Sequence, residues 1–390
     1  MRPTVKLWEI ISFQNWFAFK SENYKNSWAF VMRIKNVQDW YISLEDPQYI
    51  GLEDIDLYKD FLLDAWDILM SLTWNIWRVW IIKSEHLPAL LNQRVARLKI
   101  TEWIDNDFVF YFLSRKSFQE WLMSIASWAA QKNISVKDIQ NFEIPLPPLE
   151  TQKTIVAKLD QIFAELDQTK SEIQKNLDNT DELWKSALNQ AFQGDWEMKK
   201  LGEVATVQAW WTPSKEKKEY WENWDIPRLR SECCKNKSIY EAKEFISQSW
   251  FEHSSAKLLK KWTTLIALVW ATIWKIAYLE FEATTNQNIA WIYPNDKNLD
   301  TKYLFNACLT LYKYFEKRWE WKFAMANLSF VKDLQIPVPP LSEQEKIVEH
   351  LDQVSKEVKA LKSQYQSQLD NLEELKKSVL DKAFRWELGE

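Results

Sequence analysis

The chain has 390 residues, 46% of them hydrophobic and 27% charged, with a net charge of −5. That supplies cores for two ordinary domains and excludes a disordered polymer. The acidic balance argues against bulk attraction to nucleic acid, although net charge averages over patches that bind locally.

Taken in order, Met1-Arg2-Pro3-Thr4 enters polar sequence directly, without the apolar core of a signal peptide. Residues 5–20 (VKLWEIISFQNWFAFK) predict a strand, a turn and a second strand, and ILMSLTWNIWRVWII at 68–82 predicts strand–turn–strand. Asn92-Gln93 follows; amides can read adenine edges bidentately. The same pair returns later as Asn286-Gln287, whereas two modules reading different bases should differ there. Satisfying buried backbone groups is therefore the preferred role. Asp107–Ala130 is a mixed helical stretch, and NISVKDIQNFEIP predicts a short helix and then a strand. Pro145, Pro147 and Pro148 hold the chain extended before a long helical pattern that runs to Gly194.

The order then repeats. Residues 199–215 open like residues 5–20, LIALVWATIWKIAYL at 265–279 matches 68–82, and Thr301–Lys317 is the second mixed helical stretch. IPVPPLSEQEKIVEHLDQ matches IPLPPLETQKTIVAKLDQ at a shift of 192 residues, which also pairs Phe192 with Phe384. A repeat of about half the chain sets the architecture. Residues 262–279 are too short and too charged (Lys275) for a membrane span. A phosphate loop in 270–276 fails on spacing and on Ile276, where Ser or Thr is required.

Trp numbers 25 and Gly only 4. Glycine ordinarily makes up about 7% of residues, roughly 27 in a chain of this size. Across the repeat Gly194 faces Trp386, and Gly202 in KLGEV faces Trp8 in KLWEI. Most of these Trp letters therefore read as glycine, through a UGA codon translated by the wrong code. The alternative is a Trp-rich chain that uses indoles as stacking platforms.

Ser342-x-x-Glu345 forms a capping box at the start of the second long helix. Apolar residues recur in alternating steps of four and three, at Ile347, Leu351, Val354, Val358 and onward through Leu375. The first helix keeps the same phase at Ile155, Leu159, Ile162, Leu166 and onward through Leu183. The polar interruptions Asn176 and Gln368 align across the repeat. This is a coiled-coil seam, and about 40 residues make a rod of roughly 60 Å. Two amphipathic helices on separate cores would show wider stripes and shorter helices.

His86, His253 and His350 are scattered, without ligand or triad spacing. Cys233, Cys234 and Cys308 make neither a disulfide framework nor a zinc site, so a reducing cytoplasm is the expected compartment. No nucleophile elbow appears, even with Trp read as Gly. Recognition is thus expected rather than catalysis, by two similar modules, each followed by a long helix.

In these features the chain resembles the specificity (S) subunit of a type I restriction-modification system. The residues that carry the resemblance are KLGEVATVQA, the turn at 210–214, DIPRLRS at 225–231, VWATIWKIA at 269–277, NQNIA at 286–290, NLSFVKDLQIPVPPLSEQEKIV at 327–348 and AFRW at 383–386. Positions 210, 211, 270, 274, 319, 321 and 386 are glycine in the family pattern and Trp here.

The resemblance implies an α/β (α+β) fold. Two target recognition domains with twisted β-sheets, residues 1–149 and 195–341, are separated by two long antiparallel coiled-coil helices, 150–194 and 342–390, with pseudo-twofold symmetry. Each domain would read one half of a bipartite site in double-stranded DNA, and the helices would set the unread spacer and dock DNA methyltransferase subunits. Restriction (translocase) subunits would join through these. Methylation with S-adenosylmethionine and ATP-driven cleavage belong to those partners, so no cofactor, catalysis or membrane association is expected of this chain.

Lys20, Lys25, Lys215, Lys217, Lys218 and Lys322, near predicted turns, suit phosphate contacts. Arg228 and Arg230, with Arg78 and Lys275, suit base reading, because arginine bonds guanine bidentately. A scaffold whose modules bind protein is the rival class. A fused restriction-modification enzyme would need motifs and length that this chain lacks.

Overall fold

Thr4–Lys6 pairs antiparallel with Glu143–Pro145, and Met198–Lys200 pairs in the same way with Gln335–Pro337. Each module therefore clamps its first strand to the proline stretch that feeds a long helix. These elements come from a computed structural model, which describes residues 4–14, 17–38, 41–71, 78–128, 136–210, 224–252, 255–269, 273–311 and 327–385. The chain divides into two compact units, Met1–Gln174 with Ser367–Glu390, and Lys175–Gln366.

In the first unit a single helical turn, Leu7–Ile10, follows the opening strand, and the Glu9 carboxylate accepts the Lys6 N–H at 2.8 Å. Four antiparallel strands then lie in the order Ile11–Gln14, Val95–Ile100, Ile68–Ser71, Val79–Ile81. A smaller sheet orders Tyr49–Ile50, Ala29–Met32 and Ala89–Leu91, the last two strands parallel. The helices Asn106–Leu113 and Lys116–Trp128 cover the larger sheet with Phe108, Val109, Phe112, Phe118 and Leu122, all buried.

The second unit repeats the plan. Its larger sheet orders Ala205–Gln208, Ile289–Pro294, Thr264–Ala267, Ile276–Leu279 and, added parallel at the edge, Lys237–Ile239. Its smaller sheet orders Glu244–Ser247, Trp224–Leu229 and Thr284–Thr285, again with one parallel pair. Thr264–Ala267 is buried at all four positions, which suits its unbroken TLIA run in a strand covered on both faces. The helix Thr301–Thr310 starts on Asp300, whose carboxylate accepts the N–H groups of Lys302 and Tyr303.

The long helices run over Leu149–Ala191 and Leu341–Arg385. The second begins one residue ahead of Ser342. The Pro340 carbonyl accepts from Glu343 and Gln344 at 2.9 and 3.1 Å, so Ser342 sits in the first turn and is not the cap. Each helix is shared between units. In the first unit Lys170 meets Glu373 at 2.5 Å and Asp167 meets Lys376 at 3.1 Å. Stepping back three residues on one helix while advancing three on the other makes the pairing antiparallel. In the second unit Lys362 pairs with Asp181, the counterpart of Lys170 with Glu373 under the 192-residue shift. Leu159, Leu351, Val358 and Leu380 are buried, whereas Leu183 and Leu375 stay 49% and 46% exposed. A two-helix contact covers a narrower strip than the apolar stripe the sequence supplies.

The helix ends are anchored alike. Phe384 packs on Phe108 at 5.1 Å in the first unit, and Phe192 on Tyr303 at 5.2 Å in the second. Among the described residues no helix is long and apolar enough to cross a membrane.

Candidate nucleic-acid interface

The hairpin of each large sheet carries a cation at one register position. The Ser71 N–H donates to the Arg78 carbonyl at 3.0 Å, and the Ala267 N–H to the Lys275 carbonyl at 2.9 Å. Both residues lie just before the returning strand, Val79–Ile81 or Ile276–Leu279. Arg78 also donates to the Val37 carbonyl at 3.4 Å and to the side-chain oxygen of Gln38, while Lys275 is half-buried. Arg78 and Lys275, which the repeat aligns, thus hold equivalent places in the two hairpins.

Strand pairing exposes a second matched pair. Met32 lies opposite Leu91 and Leu229 opposite Thr285, each in a parallel pair that ends just before an Asn-Gln dipeptide. The next residue is Arg33 in one module and Arg230 in the other, each entering a 3₁₀ turn, Ile34–Asn36 or Ser231–Cys233. Each guanidinium meets a carboxylate, Arg33 with Asp46 at 3.4 Å and Arg230 with Glu244 at 2.8 Å. Lys35 joins the first cluster, and its hydrogen bond is the main cause holding the Asp46 carboxyl below its ordinary range. The sequence alone does not single out Arg33, because residues between the opening strand and the hairpin differ in length and content between modules.

Arg228 is placed differently from Arg230. It is 4% exposed, Glu244 approaches only to 4.0 Å, and its Nε and Nη1 make no hydrogen bond among the described residues. Burial lowers its pKa. Arg230, two residues along, is 40% exposed and is the more available of the two.

The Asn-Gln pairs do what the repeat suggested. Asn92 and Asn286 are buried; the first accepts the Gln93 N–H at 2.7 Å and the second the Asn288 N–H at 3.2 Å. The Asn286 N–H donates to the Leu229 carbonyl at 3.1 Å, tying this dipeptide to the strand that leads to Arg230. These amides finish backbone hydrogen bonds. Gln93 and Gln287 are exposed beside them.

Lys20 and Lys25 are exposed, with Glu22 at 3.5 Å and Glu53 at 3.9 Å. Such surface pairs contribute about 0–1 kcal/mol, so both lysines exchange partners at little cost. Lys215, Lys217, Lys218 and Lys322 lie outside the described residues. Among the described residues no group of His, Cys, Asp and Glu is assembled to hold a metal.

The chain is thus a duplicated module with matched cations, each copy clamped to one of two paired long helices. The family model of the type I restriction modification DNA specificity domain matches twice, over residues 4–179 and 193–371. The chain belongs to that family.

It is 30% identical over 167 residues to the type I restriction enzyme EcoBI specificity subunit of Escherichia coli, a match covering 42% of this chain and 35% of that protein. It is also 30% identical over 163 residues to the MjaVIII specificity subunit of Methanocaldococcus jannaschii, covering 40% of this chain and 38% of that one. The matched stretches thus span well under half of these relatives.

Two solved structures share the fold. One, from work on complex assembly and conformational transition of the type I R-M system, has a TM-score of 0.71 at 19% identity, covering 99% of this chain and 98% of that chain. The other, the HsdS subunit from Thermoanaerobacter tengcongensis, has a TM-score of 0.54 at 20% identity, covering 99% and 97%.

Proposed function

We propose that this chain is the non-catalytic DNA-recognition subunit of a cytoplasmic type I restriction-modification complex. Residues 1–149 and 195–341 act as target recognition domains, one per half of a bipartite double-stranded site. The helices 150–194 and 342–390 set the spacer between the halves. The carrying observation is the matched placement of Arg78 with Lys275 and of Arg33 with Arg230 in modules that otherwise differ. Cations at equivalent positions suit one shared docking mode on DNA, and the different surroundings leave each module to read a different sequence.

DNA methyltransferase subunits dock on the paired helices, and restriction subunits join through them. Leu183 and Leu375, one repeat apart and half-exposed, supply apolar surface for this. Lys20, Lys25, Lys215, Lys217, Lys218 and Lys322 serve phosphates, while Arg33, Arg78, Arg230 and Lys275 serve bases; Arg228, expected from the sequence to read bases, is buried and supports the strand behind Arg230.

The test is footprinting of the chain co-purified with its methyltransferase on random-sequence DNA libraries. Two protected blocks with a fixed unprotected gap are expected. Absence of any sequence-specific footprint would favour a protein-binding scaffold.

A further inference from the structure

Backbone with φ between about +50° and +70° is open to glycine, tolerated by Asn and Asp, and strained for bulky side chains. Among the described residues, seven non-glycine residues have positive φ: Trp28 (110°), Asp46 (47°), Trp66 (76°), Arg94 (68°), Asn236 (56°), Trp262 (72°) and Trp274 (66°). Two are the tolerant types. Four are tryptophan, among the least suited of all.

Trp66 and Trp262 occupy the same place in the two modules. Each stands two residues before the first hairpin strand, Ile68–Ser71 or Thr264–Ala267. Each donates its backbone N–H across the hairpin, to Ile82 at 2.7 Å or Leu279 at 2.5 Å. Their indoles are 63% and 49% exposed, so burial does not offset the backbone cost. Trp274 turns the second hairpin and donates its N–H to the Ala267 carbonyl at 2.8 Å, a position where turn geometry calls for positive φ. Trp28, at 110°, falls beyond the narrow left-handed well altogether.

Gly202 gives an independent observation from close packing. A Cβ there would lie 3.0 Å from the Lys332 Cβ and 3.3 Å from the Lys332 carbonyl oxygen. Its counterpart in the first module, Trp8, is 57% exposed. The repeat therefore places a tryptophan where its twin is a glycine closely approached by Lys332. Trp250, fully buried and without positive φ, gives no backbone reason to be glycine.

We infer that the host of this chain inserts glycine at Trp28, Trp66, Trp262 and Trp274, through UGA codons that other hosts read as tryptophan or stop. The partner this requires is a glycine-charged tRNA whose anticodon pairs with UGA. The glycine form keeps every backbone hydrogen bond named above and removes the strain at each turn.

Two measurements decide it. Peptide masses of the protein purified from its own cells should show glycine at all four positions; tryptophan at any of them overturns the inference. In recombinant protein, Trp28→Gly, Trp66→Gly, Trp262→Gly and Trp274→Gly together should raise Tm by about 2–4 °C relative to the tryptophan form. An unchanged or lower Tm would show that these turns do not call for glycine and would equally overturn it. Neither readout involves DNA, so failure here is separate from failure of the proposed function.

Discussion

Gln344 holds the backbone of Asp300. Its Oε1 accepts the Asp300 N–H at 2.8 Å, while its Nε2 donates to the carbonyls of Asn298 at 2.9 Å and Pro339 at 2.8 Å. Gln152, one repeat earlier, does the same between Asp105 and Pro147, at 3.0 and 2.8 Å. One buried amide thus joins the proline stretch, the long helix and the N-cap of a core helix. Gln344→Ala leaves three backbone groups without their partner, that of Pro339 buried, and should cost about 1–3 kcal/mol, read as a shift of the denaturation midpoint. A change under 0.5 kcal/mol would mean that water replaces the amide.

Phe384 closes the first unit's core at 4% exposure, whereas Phe192 is only partly buried in the second. Phe384→Ala should cost about 3–5 kcal/mol and Phe192→Ala distinctly less. Equal losses, measured in urea, would contradict the unequal packing.

Arg230→Ala should weaken binding of the specific site by about 1–3 kcal/mol and relax one half-site only. Arg33→Ala should relax the other half. Competition against random DNA separates the cases: equal loss on all sequences would make these arginines phosphate contacts.

Burial pushes the Cys308 thiol up to about 12, while Cys233, hydrogen-bonded to Cys234, is held below the ordinary thiol range. The thiolate is the reactive form, so at pH 8 Cys308 carries about one thiolate in 10⁴. In native protein a thiol reagent should modify Cys233 first, and faster as pH rises toward 8. Cys308 should react only after unfolding; early labelling there would contradict its burial.

Much of this architecture could be read directly from residues. The proline stretches predicted where each long helix starts to within a residue, and the four-three spacing predicted that the helices pair. The matching Asn-Gln dipeptides pointed to a structural amide, and Asn92 and Asn286 are buried with backbone partners. The site was less legible. Arg228 and Arg230 look equivalent in DIPRLRS, but Arg228 lies inside the strand and is buried, whereas Arg230 lies just past the strand end and stays 40% exposed. Arg33 lies 197 residues before Arg230, the shift that also relates Arg78 to Lys275, but the sequence around it is too different to show the match, which appears only in the parallel pairing with the strand before Asn-Gln. The half-exposure of Leu183 and Leu375 likewise depends on how two helices share a stripe, which heptad phase alone does not specify.

The most direct test of two-headed recognition is the methylation pattern written by the chain together with its methyltransferase, mapped by long-read sequencing. Two short half-sites separated by a fixed unread gap are predicted, with Arg230→Ala altering one half and leaving the gap unchanged. A single contiguous site, or no modification at all, would contradict it.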